Sequence, residues 1–409
     1  MHDVKKIAFL CHPYHRGGVT RWMADAAIAL AKQGHEVYFI TVEPGKEFFS
    51  AKGRETLLQL LGKEPNTVKI IKTGVGYEFE FGTPGYRAWV YKKLIAALPG
   101  GTPIILSDDH AVWRAATSLY QSYPVVGVLH ADESQYYNLA EKYYREVAVF
   151  ACVSERVKAT MQKRVPEFDP GCMYTIPCGI NLPAFELAGH REDLLQLIFV
   201  GRISEYQKRA GDLLKIAIQL AKKGKNFRLN IIGDGPEKTA LENKVKEAGL
   251  QQYVVFSGWL SQKEVARYLS ASDILLLTSD FEGTPIAMME ALAAGCGMVG
   301  TRVSGIEDYE HHPLAADCLR VYTVGDIEEA LNKIEAISAI PQNVRQQAAR
   351  KLAETEFSME VCLSRYLVAL AAIRANINPI PAISIGLSQL LYSKMIALAR
   401  HMKVRLLMR

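Results

Sequence analysis

Two doubly wound α/β domains are the fold class this sequence predicts. Three observations carry the prediction. Short β-branched runs alternate with helix-period segments from end to end, most of those runs are near-continuously apolar, and the chain has 409 residues. At roughly 100 to 200 residues per domain, that length suits two domains. Near-continuous apolar strands are what a parallel sheet needs when helices cover both of its faces. Hydrophobic residues make up 49% and charged residues 22%, so each half can bury a full core, and disordered, collagen-like and coiled-coil classes drop out.

The first-half strands are predicted at Lys6–Cys11, Glu36–Thr41, Thr67–Thr73, Pro103–Asp108, Pro124–His130, Ala148–Ser154 and Met173–Pro177. The second half repeats the rhythm at Leu195–Gly201, Phe227–Gly233, Val254–Gly258, Asp273–Thr278 and Gly297–Thr301. Between Leu182 and Glu192 the pattern is interrupted by Pro183, Gly189 and a charged cluster, which marks the boundary. No solenoid-length repeat is visible. No stretch reaches the roughly 18 apolar residues that span a bilayer, and Met1–Lys6 leads into a strand without a secretory apolar region. A cytoplasmic location is therefore expected. The seven cysteines lack CxxC or zinc spacing, and Cys11, Cys152 and Cys296 sit in or beside apolar runs, as reduced core thiols do.

In such sheets ligands bind outside the carboxyl ends of the strands, so the segments just after strands matter most. The segment DILLLTSDFEGTPIAMMEALAAGCGMVGTRV ends a buried strand at Thr278, places Glu282 and Gly283 in a loop, and puts Pro285 where a helix can begin. Free N–H groups of Gly283, Thr284 and Ile286, backed by the helix dipole, make an anion site suited to a phosphate. Glu282 at the mouth and Glu290 deeper can accept hydrogen bonds from hydroxyls on either side of that phosphate, the layout of a sugar nucleotide. The plainer alternative is a glutamate near a helix start and another on the helix face. QLIFVGRISEYQKRAGDLL sets Arg202 and Lys208, with Arg209 beside them, in a post-strand turn. Such cations neutralise a diphosphate and the charge that grows as it leaves; a solvated basic loop is the alternative. HPYHRGGVTRWMADAAIALAKQ places Gly17 and Gly18 between the first strand and a helix, allowing close backbone approach to a ligand, and IIGDGP makes another turn with Gly233 and Gly235.

These pieces, in this order, resemble the glycosyltransferases of the GT-B fold, most closely glycosyltransferase family 4, also called glycosyl transferases group 1. The resemblance runs to about Phe357, and Glu282 to Glu290 within EGTPIAMMEALAAG is its most specific part. It implies an enzyme, a retaining glycosyltransferase that moves a sugar from a nucleotide diphosphate donor, UDP before GDP, to a hydroxyl acceptor in glycan, exopolysaccharide or glycolipid synthesis. Glu282 would contact the donor sugar, Glu290 the ribose, and Arg202 and Lys208 the diphosphate, with Gly17 and Gly18 closing from the other domain. The base would lie near Trp259 and Leu260. Residues 1–185 would form the acceptor-side domain, 190–356 the donor domain, 357–375 a helix crossing back, and 376–409 a basic tail. Two alternatives share the fold: a nucleotide-sugar epimerase, and a non-catalytic partner subunit that binds the donor.

His130 ends the strand PVVGVLH ahead of Asp132 and is similar to the family's histidine at the acceptor edge; a strand-end histidine held by its neighbours is the alternative. IPCGIN looks like the family's iPNGvD turn with Cys178 for Asn and Asn181 for Asp, and Gly297 stands where the family often has Pro. Asp108, Asp109 and His110 could be read as metal ligands, but no further ligand cluster is evident and the cations above already occupy a metal's place, so no metal and no other cofactor is expected. His311 and His312 read as solvated.

Charge is unevenly spread. After Glu360 there are seven Arg or Lys residues and no Asp or Glu, so the excess of 48 basic over 43 acidic residues lies wholly in the tail. That argues against a nucleic-acid groove and for a local surface interaction. Leu387, Leu390, Leu391, Met395, Leu398, Met402 and Leu406 fall on one helical face beyond Leu387. Two readings stay open: a last helix packed on the protein, or a basic amphipathic helix on an anionic membrane that serves a lipid-linked acceptor.

Overall fold

The computed structural model describes residues 5–11, 18–44, 61–62, 67–106, 109–182, 194–373 and 383–407. Its first half runs β1 (Lys6–Leu10), α1 (Gly18–Lys32), β2 (Glu36–Pro44), β3 (Lys69–Val75), α2 (Tyr77–Phe81), α3 (Pro84–Ile95), β4 (Ile104–Leu106), α4 (His110–Thr117), β5 (Val125–Leu129), α5 (Ser134–Tyr143), β6 (Val149–Cys152), α6 (Glu155–Arg164) and β7 (Met173–Thr175). The second half runs β8 (Leu195–Val200), α7 (Ala210–Lys222), β9 (Phe227–Ile232), α8 (Lys238–Glu247), β10 (Val254–Gly258), α9 (Gln262–Ser270), β11 (Ile274–Leu277), α10 (Ile286–Ala293), β12 (Gly297–Thr301), β13 (Leu319–Tyr322), α11 (Ile327–Ser338) and α12 (Gln342–Leu352). Two helices close the chain, α13 (Met359–Ala371) and α14 (Leu387–Leu407).

The strands form two parallel sheets, ordered β3-β2-β1-β4-β5-β6-β7 and β10-β9-β8-β11-β12-β13. In each, the order reverses beside the first strand, between β1 and β4 and between β8 and β11, which opens a crevice at the carboxyl ends of those strands. Strands β4, β5, β6, β11 and β12 are buried along their whole length, and each fully buried Leu, Ile, Val or Phe contributes about 1.5 to 3 kcal/mol. Every predicted strand is present. β13 is an addition: a four-residue edge strand, LRVY, whose half-buried Arg320 breaks the apolar run that announces the others.

Several helices here begin on a side-chain cap. Thr83, Asp109, Ser154, Asp326 and Ser358 each accept a backbone N–H of the helix they precede, an arrangement that stabilises a helix by about 1 kcal/mol. Asp109 therefore caps α4, accepting from Ala111 and Val112, while Asp108 lies outside the described residues. His312 likewise accepts from the N–H of Leu314. Helix α10 is among those without such a cap: Pro285 occupies its N-cap and no side chain closes it. Pro285 thus sits one residue before the first helical position that the sequence predicts for it.

After α12 a π-helical turn at Ala353–Phe357 leads the chain back to the first half. Ile180 N–H donates to the Phe357 carbonyl at 2.8 Å, and Met359 N–H to Ile180 at 2.9 Å. Helix α13 then packs on α1 and β6, with Tyr366 5.6 Å from Trp22 between ring centroids. Helix α14 rests on α2 and α3. The segment 183–193, where the sequence places the domain boundary, and 376–381 lie outside the described residues.

Candidate active site

Between the two sheets lies a cleft of about 1000 Å³. Its lining includes the sequence-predicted residues Gly18, His130, Arg202, Lys208, Gly233 and Gly235, together with Trp259, Leu260, Glu282 and Glu290. Gly283, Thr284, Pro285 and Ile286 complete it at the start of α10. Gly17 lies outside the described residues.

Glu282 follows β11 and is only 5% exposed. One of its oxygens, Oε1, accepts from Lys208 Nζ at 2.5 Å and from Ser279 Oγ at 2.6 Å. The Lys208 carbonyl in turn accepts from Thr278 Oγ1 at 2.6 Å, so the turn after β8 is locked onto the strand end of β11. Lys208 is thus already neutralised, and Arg202, exposed and without an ion pair among the described residues, is the cation that faces the cleft unspent.

Arg209 is a correction to the sequence reading. Its backbone adopts the left-handed region at φ 45°, unusual for a residue with a side chain, and its guanidinium bonds Asp212 at 2.7 Å and Asp280 at 3.3 Å. It is absent from the cleft lining and does not share the work of Arg202 and Lys208.

Glu290 is the fifth residue of α10 and half-buried in the cleft wall. Burial pushes its carboxyl up to about 7, opposed by a hydrogen bond with Gln262 and the charge of Arg21, while Asp25 adds to the rise. A carboxyl poised there favours a ligand whose hydroxyls donate to its ionised form. Near it, the first N–H groups of α10 have no intrahelical acceptor, and the missing cap leaves them to the cleft.

Three cleft glycines are required by close approach, Gly235 among them, where a Cβ would stand 2.0 Å from the Ile203 carbonyl. A Cβ on Gly283 would stand 2.0 Å from the His130 carbonyl of the opposite half, and one on Gly233, at φ 137°, 1.8 Å from the Gly201 carbonyl. The halves are stitched at this point: Asp132 N–H donates to the Glu282 carbonyl at 3.0 Å, and Thr284 Oγ1 donates to the Val153 carbonyl. His130, 8% exposed, follows β5 with its ring 5.5 Å from Trp22 and 6.3 Å from Tyr136.

Cys178 also lines the cleft, and burial holds its thiol well above the usual range, so it offers no thiolate. Asn181 is exposed and outside the lining. Among the described residues no cluster of three or more His, Cys, Asp or Glu is arranged to hold a metal ion. Sequence reasoning misses Ser279, Gln207 and Gln262. Gln207 bonds the Phe281 carbonyl at 3.3 Å and so shapes the same loop; Gln207 and Gln262 act through contacts far apart in sequence and Ser279 through a loop that folds back over three residues, which no motif announces.

Comparison with known proteins agrees with this geometry. Residues 16–183 match the family described as Glycosyltransferase Family 4, and residues 185–351 the family described as Glycosyl transferases group 1. The amylovoran biosynthesis glycosyltransferase AmsK of Erwinia amylovora is 30% identical over 175 residues, 41% of this chain and 42% of that protein. Against that relative the chain thus spans less than half the length. A phosphatidylinositol N-acetylglucosaminyltransferase component from Arabidopsis thaliana is 24% identical over 342 residues, 82% of this chain and 68% of that protein. Among solved structures, Anabaena HepE in complex with UDP and glucose superposes with a TM-score of 0.69 at 15% identity, covering 91% of this chain and 100% of that one; that likeness concerns the fold. With two parallel sheets of this order, a cleft at their switch points and both halves matched, the chain belongs to the GT-B glycosyltransferases, family 4 in its first half and group 1 in its second.

Proposed function

We propose that the protein is a retaining glycosyltransferase that uses a UDP-sugar and a lipid-linked hydroxyl acceptor, without a metal ion. The observation that carries this reading is the convergence of Arg202, the Lys208–Glu282 pair, Glu290 and the uncapped start of α10 on one cleft. The diphosphate would sit against the N–H groups of α10 and Arg202. Glu290 would take the ribose hydroxyls and Trp259 would face the base. Glu282, held by Ser279, would accept from a sugar hydroxyl, and donor binding would draw Lys208 toward the phosphate.

In the transfer, the acceptor oxygen attacks the anomeric carbon from the face that the diphosphate leaves. The bond from that carbon to the phosphate oxygen breaks as the new glycosidic bond forms, and the acceptor proton passes to the departing phosphate. Arg202, Lys208 and the helix dipole stabilise the charge that grows there, the role a metal ion would otherwise take. His130, beside Gly283, would orient the sugar or acceptor. The UDP assignment is supported by the fold shared with HepE, whose structure contains UDP, and a lipid acceptor by the phosphatidylinositol in the name of the Arabidopsis relative.

The test is incubation with UDP- and GDP-sugars, with and without lipid-linked acceptors, reading nucleoside diphosphate release and product configuration by NMR. Acceptor-dependent UDP release, a product of unchanged anomeric configuration and full rates in EDTA are expected. Inversion, or a rate abolished by EDTA and restored by magnesium, would overturn the retaining, metal-free reading. Donor isomerised without acceptor would identify an epimerase instead.

A further inference from the structure

Helix α14 packs on the protein by the side that amphipathic helices usually turn outward. The side chains it buries are Ser393 and Ala397. Ser393 Oγ accepts from the Thr83 N–H at 3.0 Å, the Arg400 guanidinium donates to the Phe81 carbonyl at 3.1 Å, and the His401 ring lies 5.7 Å from that of Phe81. Small and polar groups thus make the seam with α2 and α3. Leu390 and Ile396 are half-buried, but most of the large apolar side chains are left outside: Leu387, Leu391, Tyr392, Met395, Leu398 and Met402 are between 48% and 71% exposed. All but Tyr392 recur at spacings of three and four residues and so form one continuous stripe.

We propose that this stripe docks on an anionic lipid bilayer, with α14 lying in the plane of the interface. Charge selects the occupant. Lys394 and Lys403 are exposed on the same helix, Arg400 being held at the seam by the Phe81 carbonyl, and no Asp or Glu occurs beyond Glu360. A second copy on the same face would oppose cation to cation, whereas anionic headgroups attract each of them and the acyl boundary accepts the leucines and methionines. Among the described residues no helix is long and apolar enough to cross a membrane, so α14 rests on the surface. Helix α2, on which it sits, starts just past the carboxyl end of β3, the end of the sheet at which His130 and Gly18 line the cleft.

The docking rests on the lipid-linked acceptor reading for its purpose, but its measurement needs no glycosyl transfer. Full-length protein is sedimented with phosphatidylcholine vesicles with and without phosphatidylglycerol, at low and at physiological salt. Binding to the mixed vesicles, about tenfold weaker or more on phosphatidylcholine alone, is expected, and salt should weaken it. Leu391→Gln/Met395→Gln/Leu398→Gln should abolish binding at an unchanged melting temperature. Lys394→Gln/Lys403→Gln should weaken it by up to about thirtyfold.

A wild type that stays in solution at low salt, or a triple variant that binds as well as wild type, would overturn the proposal. So would a triple variant with a clearly lowered melting temperature, which would make the stripe part of the core. A dimer by light scattering that the triple variant abolishes would name a second copy as the occupant. UDP release with a detergent-soluble acceptor, measured on the same variants, separates failure of the docking from failure of the enzymatic reading.

Discussion

The two walls of the cleft share one topology and divide the chemistry unequally. From the second sheet come Arg202, Lys208, Asp234, Glu282 and Glu290; among the described residues the first adds Gly18, Val19, His130, Ala131 and Cys178 to the lining, while its Arg21 and Asp25 act on Glu290 from α1 without lining the cleft. Both sets follow strands of doubly wound sheets, so the fold does not account for the difference. A donor that carries fixed charge needs fixed countercharge, and one wall supplies it. The other wall has to exclude water and admit a neutral hydroxyl, for which small, apolar and aromatic groups serve. The same architecture thus becomes a charged half-site or an apolar one through a few post-strand residues.

The largest expected effect comes from forcing the walls apart. Gly283→Ala would press a methyl group against the His130 carbonyl, and a displacement of about 1 Å in the loop carrying Glu282 should lower kcat/KM a hundredfold or thereabouts, with about 1 to 3 kcal/mol lost in stability. A variant as active and as stable as wild type would show that the contact between the walls is dispensable.

Next in size is the ion pair on the charged wall. Glu282→Ala should spare free UDP affinity and impair transfer, and Lys208→Ala should act on the same step. Combined, the two changes should deviate from additivity by about 0.5 to 3 kcal/mol. Strict additivity in transfer rates would mean that the two side chains work apart.

Glu290→Ala should weaken UDP and UDP-sugar alike by about 1.5 to 3 kcal/mol. Because burial holds the free carboxyl up to about 7 and ribose hydroxyls favour its ionised form, affinity for a UDP-sugar should rise by up to about tenfold from pH 6 to pH 8. The rise comes from removing the proton that competes with binding, and calorimetry on Glu290→Gln should show it flattened. A pH dependence unchanged in that variant would assign the titration to another group.

The smallest effect belongs to the uncharged wall. Cys178→Ala should change donor KM by less than about threefold, since a small apolar replacement at a buried thiol costs little beyond packing. A tenfold rise would give the first wall a share in holding the donor and weaken the contrast between the two.

Much of this contrast is legible in the sequence alone. Strands buried on both faces declare themselves by composition, and glycines and charges directly after them mark the crevice, which is why Arg202, Lys208, Glu282 and Glu290 can be placed from sequence. What cannot be read depends on how side chains fold back on one another, near or far along the chain. Ser279 looks like a turn residue until its hydroxyl is seen on Glu282 at 2.6 Å. Arg209 looks like a third cleft cation until a left-handed backbone carries it to Asp212 and Asp280. The amphipathic pattern of α14 is visible as well, but a helical pattern does not say which face the rest of the protein will cover.

The stitching of the loop after β11 to the opposite half affects how substrates come and go. Because the Glu282 carbonyl holds Asp132 and the Thr284 hydroxyl holds Val153, prising the halves apart at that end would break those bonds along with Ser154–Ser304, Glu155–Asp308 and the Arg156–Glu307 pair, and would disturb the loop that carries Glu282 each time. Traffic past Arg202 and Trp259, both exposed at the rim, leaves those bonds intact. A ligand that leaves by that rim keeps the empty site assembled, so its exchange needs no parting of the two halves at the loop after β11.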